Sequence, residues 1–262
     1  MPAPVPVVLI LAGLDPSGAA GLLADAEAVR VLGGRPLCVA TALTVQTRAG
    51  ARSFQPCAPS FLLESARALL EEEGVGAIKI GMLGTPQMAR AIADLLAEHP
   101  DLPAVLDPVV AASSGALLFK GTPGDARLAV MGLWRRALVT PNLPEARLLL
   151  GLGPPAPEES GDGAALQESL ARALLEAGAR AAVVKGGHAR GDEAVDVLAT
   201  HGPGGAISHA RLTGPRLPGT ARGTGCRFAS ALACGLARGE DPLPAALAAK
   251  KLVADYLRRS AI

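Results

Sequence analysis

Residues 7–32 read VVLILAGLDPSGAAGLLADAEAVRVL. The apolar run at 7–12 is short and rich in branched side chains, which is typical of a buried strand. A turn rich in Gly, Asp, Pro and Ser follows it. The Ala- and Leu-rich segment at about 19–32 has the composition of a helix. The stretch therefore predicts a strand, a turn and a helix in succession.

The same unit recurs along the chain. Further strands are predicted at 37–43, 77–80, 104–106, 137–139 and 181–184. Further helices are predicted after Asn142 and at 59–72, 86–98, 163–177, 226–237 and 242–259. Two strand-like runs at 193–198 and 207–212 have no helix between them and predict an antiparallel hairpin at an edge. We expect one α/β domain over 1–262, with a central, mainly parallel sheet, helices on both faces and a small β edge or lid.

Composition excludes several classes of partner. Half of the 262 residues are hydrophobic, 2% are aromatic and the net charge is +1, so neither nucleic acid nor an anionic membrane is expected as a partner. The four cysteines form no CxxC pair, which disfavours a zinc site or a disulfide framework. The N-terminus lacks a basic segment before its apolar run, and no stretch of eighteen apolar residues occurs. We expect a cytoplasmic protein with reduced thiols.

Residues 222–226, RGTGC, form the strongest local motif, at the start of a predicted helix. Gly223 and Gly225 permit a tight loop, and the free N–H groups at a helix start attract anions. Phosphoryl transfer needs such a cradle. Cys226 at the helix N-terminus is expected to have a lowered pKa that favours the thiolate. A glycine-rich helix start with a buried cysteine explains the pattern equally well.

Polar residues follow three other predicted strands. Asp107 and Glu145 can organise Mg²⁺ and its waters around phosphates, and Lys185, before two glycines, can reach phosphate oxygens. Taken one at a time, these residues are better explained by structure. Asn142 then only caps a helix, Glu145 complements its dipole and Lys185 is solvated before a turn.

Two further residues suit a small heterocyclic ligand. The amide of Gln46 offers a donor and an acceptor to a ring edge, although a surface glutamine is the alternative. Met82 follows a predicted strand but is more often core filling than a ligand contact. No Gly-Lys-Ser/Thr occurs in the chain, which disfavours a P-loop nucleotide site.

Taken together, the motifs resemble the hydroxymethylpyrimidine/phosphomethylpyrimidine kinases of the ribokinase-like superfamily. They are, in order, AGLDPSGAAGLLAD (12–25), TALTVQT (41–47), KIGMLG (79–84), DPVVAASSG (107–115), TPNLPEA (140–146), VKGGH (184–188), GDEAVDVL (191–198) and GTGC (223–226). The resemblance implies a ribokinase-like fold that uses ATP and Mg²⁺ and forms a homodimer. It also implies phosphorylation of 4-amino-5-hydroxymethyl-2-methylpyrimidine, then of its monophosphate, to the diphosphate used for thiamin.

The resemblance also assigns roles to residues. The implied pyrimidine pocket comprises Gly13, Ala20, Asp25, Gln46, Met82 and Val109. The implied anion hole and ATP site comprise Gly223, Thr224, Gly225, Cys226, Lys185 and Asn142. Cys226 would activate the substrate hydroxyl and Lys185 would neutralise charge on the phosphates. Asp107 and Glu145 would set the Mg²⁺ environment.

Some positions depart from the family pattern. Arg222 stands where His is usual, Arg227 where Thr is common, Ser113 where Lys is usual and Ala116 where Asp is usual. The two arginines add positive charge beside the phosphate cradle, and we hypothesise that they replace the missing lysine or favour the phosphorylated substrate. A pyridoxal kinase of the same superfamily is the nearest alternative. A non-catalytic binding or regulatory protein with the same fold is a more distant one.

Overall fold

A computed structural model describes residues 4–47, 49–110, 117–153, 163–187, 192–217 and 221–260. Ser113 and Ala116 lie outside the described residues, as does most of the 151–163 segment, for which the sequence predicts a surface loop.

Strands and helices alternate through most of the chain. The strands are β1 (Val7–Leu14), β2 (Arg35–Thr47), β3 (Gly50–Pro56), β4 (Ala77–Ile80), β5 (Ala104–Leu106), β6 (Leu138–Val139), β7 (Ala181–Val184), β8 (Glu193–His201) and β9 (Ile207–Pro215). The helices are α1 (Gly21–Val31), α2 (Pro59–Glu72), α3 (Pro86–Glu98), α4 (Pro123–Trp134), α5 (Leu143–Leu149), α6 (Gly163–Glu176), α7 (Thr224–Ala237) and α8 (Pro242–Ser260).

The described strands form one sheet in the order β3-β2-β1-β4-β5-β6-β7-β8-β9. The six strands from β2 to β7 in this order pair in parallel. At one end β8 and β9 form the predicted antiparallel hairpin, and at the other end β3 pairs antiparallel with β2. The prediction of a mainly parallel sheet with a β edge is confirmed.

The sheet separates two apolar cores. Leu9 and Leu11 of β1 point into a core formed with α2 to α6, whereas Val8 and Ile10 point into a core formed with α1, α7 and α8. This division follows from the two-residue period of a strand, which sends successive side chains to opposite faces. Helices therefore cover both faces, as predicted.

Two elements are absent from the sequence interpretation. The strand β3 has an irregular, polar sequence and is formed by antiparallel pairing with an extended β2. The helix α4 begins with a capping box, in which the Thr122 hydroxyl accepts from the Asp125 N–H and the Asp125 carboxylate accepts from the Thr122 N–H. A Thr followed three residues later by an acid is a readable signal for a helix start.

The carboxyl ends of the parallel strands all lie at one edge of the sheet. The chain leaves this edge at Asp107 after β5, at Thr140 after β6 and at Lys185 after β7. Since ligands of open α/β sheets bind at this edge, the fold places the motif residues where a site is expected. None of the helices in the described ranges combines the length and apolar character that a membrane span requires.

Candidate active site

A cavity lies at the carboxyl ends of β1, β2 and β4, beside the first turn of α7. It encloses about 380 Å³ of space free of atoms, part of it open to solvent. Six of the predicted site residues line it: Gly13, Ala20, Gln46, Met82, Val109 and Cys226. Residues far apart in sequence thus meet around one small, concave space, as expected of a ligand site.

Gln46 is fixed in this cavity by a residue that the sequence interpretation overlooked. Gln46 Nε2 donates to Asp15 Oδ2 at 2.8 Å. Asp15 in turn accepts from Ser17 N at 2.9 Å, Ser17 Oγ at 2.7 Å and Ala20 N at 3.1 Å. Both Asp15 and Gln46 are buried. Asp15 therefore ties the turn after β1 to the end of β2 and sets the orientation of the Gln46 amide. The Asp-Pro-Ser turn was the signal for it.

Close packing of backbone explains two glycines of the first motif. A Cβ at Gly13 would lie 2.7 Å from Met82 Sδ, so Met82 packs directly on the backbone there. Gly21 has a φ of +59°, and a Cβ on it would lie 2.2 Å from the Gly13 carbonyl oxygen. Only glycine fits at 21, because both the backbone conformation and the space exclude a side chain.

Asp25 does not line the cavity, in contrast to the role that the resemblance gives it. Its carboxylate is completely buried and lies 2.8 Å from Lys79 Nζ and 2.8 Å from Ser230 Oγ. Lys79 lines the cavity instead. Burial alone would lower the pKa of Lys79, but the charge of Asp25 outweighs it and holds that pKa above its ordinary value. Asp25 therefore acts on the cavity indirectly, by keeping Lys79 charged and in place.

The loop at 223–226, here called the anion loop, begins α7. Gly223 is the N-cap with a φ of +73°, and a Cβ on it would lie 2.2 Å from the Ala19 carbonyl oxygen. Arg227 N donates to Gly223 O at 3.0 Å and closes the first helical turn. The N–H groups of 224–226 precede that bond, so the helix leaves them without an internal acceptor. This is the geometry that binds anions.

Lys185 and Asp107 lie directly against the anion loop. Lys185 Nζ is 3.0 Å from Asp107 Oδ1, and a Cβ at Gly225 would lie 3.0 Å from Lys185 Nζ and 3.7 Å from the Asp107 carboxylate. Burial alone would raise the pKa of Asp107, but the ammonium groups of Lys185 and Lys79 outweigh it and lower that pKa. A cation and an ionised carboxylate therefore lie beside the loop.

Asn142 and Glu145 form a capping box at the start of α5. Asn142 Oδ1 accepts from Glu145 N at 2.9 Å, and Glu145 Oε2 accepts from Asn142 N at 2.8 Å. The backbone of Asn142 also bridges to Lys185. Burial raises the pKa of Glu145 to about 7. The charge of Lys185 acts in the opposite direction, and that of Asp107 adds to the effect of burial. The capping role that the sequence favoured for Asn142 is present, and it brings Glu145 beside Lys185.

The donor set suits a magnesium ion that arrives with a nucleotide. Within the described ranges no three His, Cys, Asp or Glu side chains are grouped as a metal site. Asp107 and Glu145 supply two carboxylates, and Mg²⁺ in kinases is usually held by one or two carboxylates together with phosphate oxygens and waters.

The thiol of Cys226 has a higher pKa than the sequence predicted. Burial, followed by the nearby charge of Asp25, raises it to about 12, although the N–H of Gly21 acts in the opposite direction. The prediction of a lowered pKa was therefore wrong. The helix start stabilises a thiolate, but loss of solvent and two neighbouring carboxylates outweigh that effect.

Comparison with known proteins identifies the family. The profile of the phosphomethylpyrimidine kinase family (Phos_pyr_kin) matches residues 15–261. The chain belongs to this family. It is 37% identical over 254 residues to the hydroxymethylpyrimidine/phosphomethylpyrimidine kinase of Streptomyces coelicolor, covering 96% of this chain and 88% of that protein.

One further relative and one solved structure are also similar to this member of the kinase family. It is 37% identical over 260 residues to the thiamine biosynthesis bifunctional protein ThiED of Geobacter sulfurreducens, and the match spans 98% of this chain but only 50% of that relative. The structure of pyridoxal kinase from Staphylococcus aureus in complex with AMP-PCP and pyridoxal superposes with a TM-score of 0.79 at 27% identity, covering 96% of this chain and 87% of that chain. The ribokinase-like fold is thereby confirmed.

This member of the phosphomethylpyrimidine kinase family departs from the family pattern at Arg222 and Arg227. Both side chains contact other residues of the chain. Arg222 Nη1 donates to the Thr47 carbonyl oxygen at the end of β2. Arg227 is buried and its guanidinium pairs with Glu27. Because the guanidinium of Arg227 is held by other residues of the chain, its charge is not simply added beside the phosphate cradle, as the hypothesis from the sequence had it.

Proposed function

We propose that this chain transfers the γ-phosphoryl group of ATP to the hydroxymethyl group of 4-amino-5-hydroxymethyl-2-methylpyrimidine, and then a second one to the resulting monophosphate. The diphosphate is the form used to make thiamin. The single observation that carries the proposal is that Cys226 lines the same cavity as Gln46 while its own loop contacts Lys185. Acceptor and phosphoryl sites therefore share one boundary. The names of the relatives support the substrate.

The cavity suits a flat, polar ring. Gln46, oriented by Asp15, presents its amide to the ring edge. Met82, Val109 and Leu118 supply apolar walls. Because Gly13 has no side chain, Met82 packs directly on its backbone, and this contact sets the position of that wall. The hydroxymethyl group would then point towards Cys226.

The anion loop and Lys185 would hold the phosphates of ATP. The N–H groups of 224–226 would bind the transferring oxygens, and the Lys185 ammonium would neutralise the charge that develops on them. Asp107 and Glu145 would hold the magnesium ion or its waters, and the ion, when bound, would neutralise further phosphate charge. Family membership supports use of a nucleotide.

The reaction forms a bond between the acceptor oxygen and the γ-phosphorus and breaks the bond to the bridging oxygen, so that ADP leaves. The hydroxyl proton would pass to the thiolate form of Cys226. Because the pKa of this thiol is about 12, the thiolate is a minor but strongly basic species at neutral pH. In a loose transition state most of the rate acceleration comes from positioning and charge stabilisation, so the anion loop and Lys185 share the work with Cys226.

A direct assay tests the proposal. Purified protein is incubated with Mg²⁺ and ATP and, separately, with the pyrimidine alcohol, its monophosphate and pyridoxal, and the product masses are read. We expect one added phosphoryl group on each pyrimidine acceptor, with the alcohol proceeding to the diphosphate. Absence of a mass increase on both pyrimidines, in protein that binds nucleotide, contradicts the proposal.

Pyridoxal phosphorylation is the second candidate. The similarity to the pyridoxal kinase of Staphylococcus aureus over 96% of this chain favours it. The same assay discriminates the two through kcat/KM for pyridoxal and for the pyrimidine alcohol. A non-catalytic binding protein, the third candidate, would bind nucleotide and acceptor without any product.

We propose a homodimer as the functional assembly. Leu43 and Val45 of β2 are each at least half exposed beside the edge strand β3, and they provide apolar surface for a second copy. Light scattering coupled to gel filtration is expected to give twice the chain mass. Replacing both residues by Asp should shift the mass to that of one chain, and an unchanged mass would place any interface elsewhere.

A further inference from the structure

We infer that Arg227 is a positioning residue that couples the wall of the cavity lined by Gln46 and Cys226, here called the acceptor cavity, to the anion loop. The inference rests on the proposed function for its catalytic consequence. Its structural basis is independent of that function. Arg227 lies in α7, one residue after the anion loop, and is only 4% exposed.

The guanidinium of Arg227 bridges two separate loops. Nη1 donates to the Ala19 carbonyl oxygen at 3.2 Å and to the Arg222 carbonyl oxygen at 3.4 Å. Ala19 immediately precedes Ala20, which lines the cavity, and Arg222 immediately precedes Gly223, which begins the anion loop. One side chain thus holds the two loops at a fixed separation.

Other contacts hold the guanidinium in place. Nη2 donates to Glu27 Oε2 at 2.5 Å, and the guanidinium carbon lies 3.9 Å from the centre of the Tyr256 ring. The hydroxyl of Tyr256 donates to the same Arg222 carbonyl at 3.2 Å. A guanidinium can stack its flat face on a ring while N–H groups in its plane donate to acceptors on different sides, whereas the compact ammonium of lysine lacks this planar fork. These contacts specify arginine rather than a positive charge in general.

The two loops are already in contact at this point. A Cβ at Gly223 would lie 2.2 Å from the Ala19 carbonyl and 2.7 Å from Arg227 Nη1. A small shift of one loop must therefore be transmitted to the other. Since transfer requires the acceptor oxygen and the phosphorus in near-attack geometry, the distance between these loops matters for the rate, and a misplacement of about 1 Å can cost on the order of 100-fold.

The test compares Arg227→Lys with Glu27→Gln. Lysine at 227 keeps a positive charge near Glu27 but lacks the planar fork that reaches the two carbonyls through Nη1 and Glu27 through Nη2. The Glu27→Gln change removes the ion pair but keeps a side-chain oxygen that can accept from Arg227, and Glu27 is 54% exposed, so we expect the guanidinium to stay in place. We expect Arg227→Lys to lower kcat for the pyrimidine alcohol by about tenfold or more, with nucleotide affinity nearly unchanged, and Glu27→Gln to leave kcat unchanged.

Hydrogen exchange supplies a readout that does not depend on turnover. With ADP as the ligand, exchange at 13–21 is expected to slow in the wild type and in Glu27→Gln, and not in Arg227→Lys. An Arg227→Lys protein that melts earlier but keeps both the wild-type kcat and the ADP-dependent protection would show a merely structural role and overturn the inference. If the wild type transfers no phosphoryl group, the proposed function fails, and the exchange comparison still decides the coupling.

Discussion

Nζ of Lys79 lies 2.8 Å from Oδ2 of Asp25, and neither side chain is exposed to solvent. The pair joins β4 to α1, and Ser230 of α7 donates to the second oxygen of Asp25. Three elements that surround the acceptor cavity are therefore connected through one buried carboxylate. A buried charge without its partner is costly, so the structure around this cavity depends on both residues.

Removal of either charge is expected to destabilise the fold. Lys79→Met leaves the Asp25 carboxylate buried and unpaired, and Asp25→Asn does the same to the ammonium group, at a cost of about 3–5 kcal/mol each. Urea denaturation at pH 7 measures the loss. The double variant is the control, and we expect its free energy of unfolding to fall by much less than the sum of the decreases in the two single variants. Single variants within about 1 kcal/mol of the wild type would contradict the importance of the pair.

Gly225→Ala is expected to reduce phosphoryl transfer more than stability. The added methyl group would lie 3.0 Å from Lys185 Nζ, and the flexible lysine must move away from Asp107 to accommodate it. The loss of a positioned charge-stabilising group costs about 100-fold in kcat. Gly187→Ala is the matched control, since no atom of the described residues lies within 4 Å of a Cβ there. Equal kcat values for the two variants would exclude the proposed role of Lys185 beside the loop.

Cys226 is expected to react slowly with iodoacetamide in the ligand-free protein. Its pKa is raised to about 12 from an ordinary value near 9, so far less thiolate is present at pH 8 in the folded chain than in the unfolded one. Each pKa unit is a factor of ten in thiolate, and we expect alkylation at least about 100-fold slower than in urea. Peptide mass spectrometry over time measures both rates. Similar rates would mean that the thiol is not held protonated.

Nucleotide binding with Mg²⁺ is expected to tighten as pH rises through 7. The pKa of Glu145 is raised to about 7 from an ordinary value of 4.5, so its carboxylate is mostly protonated below that pH and ionised above it. A cation held near Glu145 favours the ionised form, and binding near neutral pH should release a proton. Calorimetry in two buffers of different ionisation enthalpy measures the release. Glu145→Gln should abolish it, and an unchanged release would assign it to another group.

Local patterns predicted most of the fold because strands and helices alternate and are separated by recognisable turn residues, such as glycine and proline. The starts of α2 and α3 follow from Pro59 and Pro86 at their first turns. By contrast, β3 depends on pairing with β2 and has no strand pattern of its own. Tertiary context, rather than propensity, forms that strand.

The site was predicted in part for the same reason. Motifs at strand ends meet because parallel strands end at one edge, which brought Gln46 and Cys226 together. Partners distant in sequence were not readable: Asp25 pairs with Lys79, and Arg227 pairs with Glu27. The pKa of Cys226 was also mispredicted, because burial depends on the packing of the whole cavity.

The most direct test of the account compares the wild type with Cys226→Ala in a single-turnover assay with the pyrimidine alcohol, together with nucleotide affinity. If the cavity beside Cys226 is where the acceptor is activated, transfer should fall by at least about 100-fold while nucleotide affinity stays nearly the same. Equal transfer rates in the two proteins would contradict the role of Cys226 in the reaction.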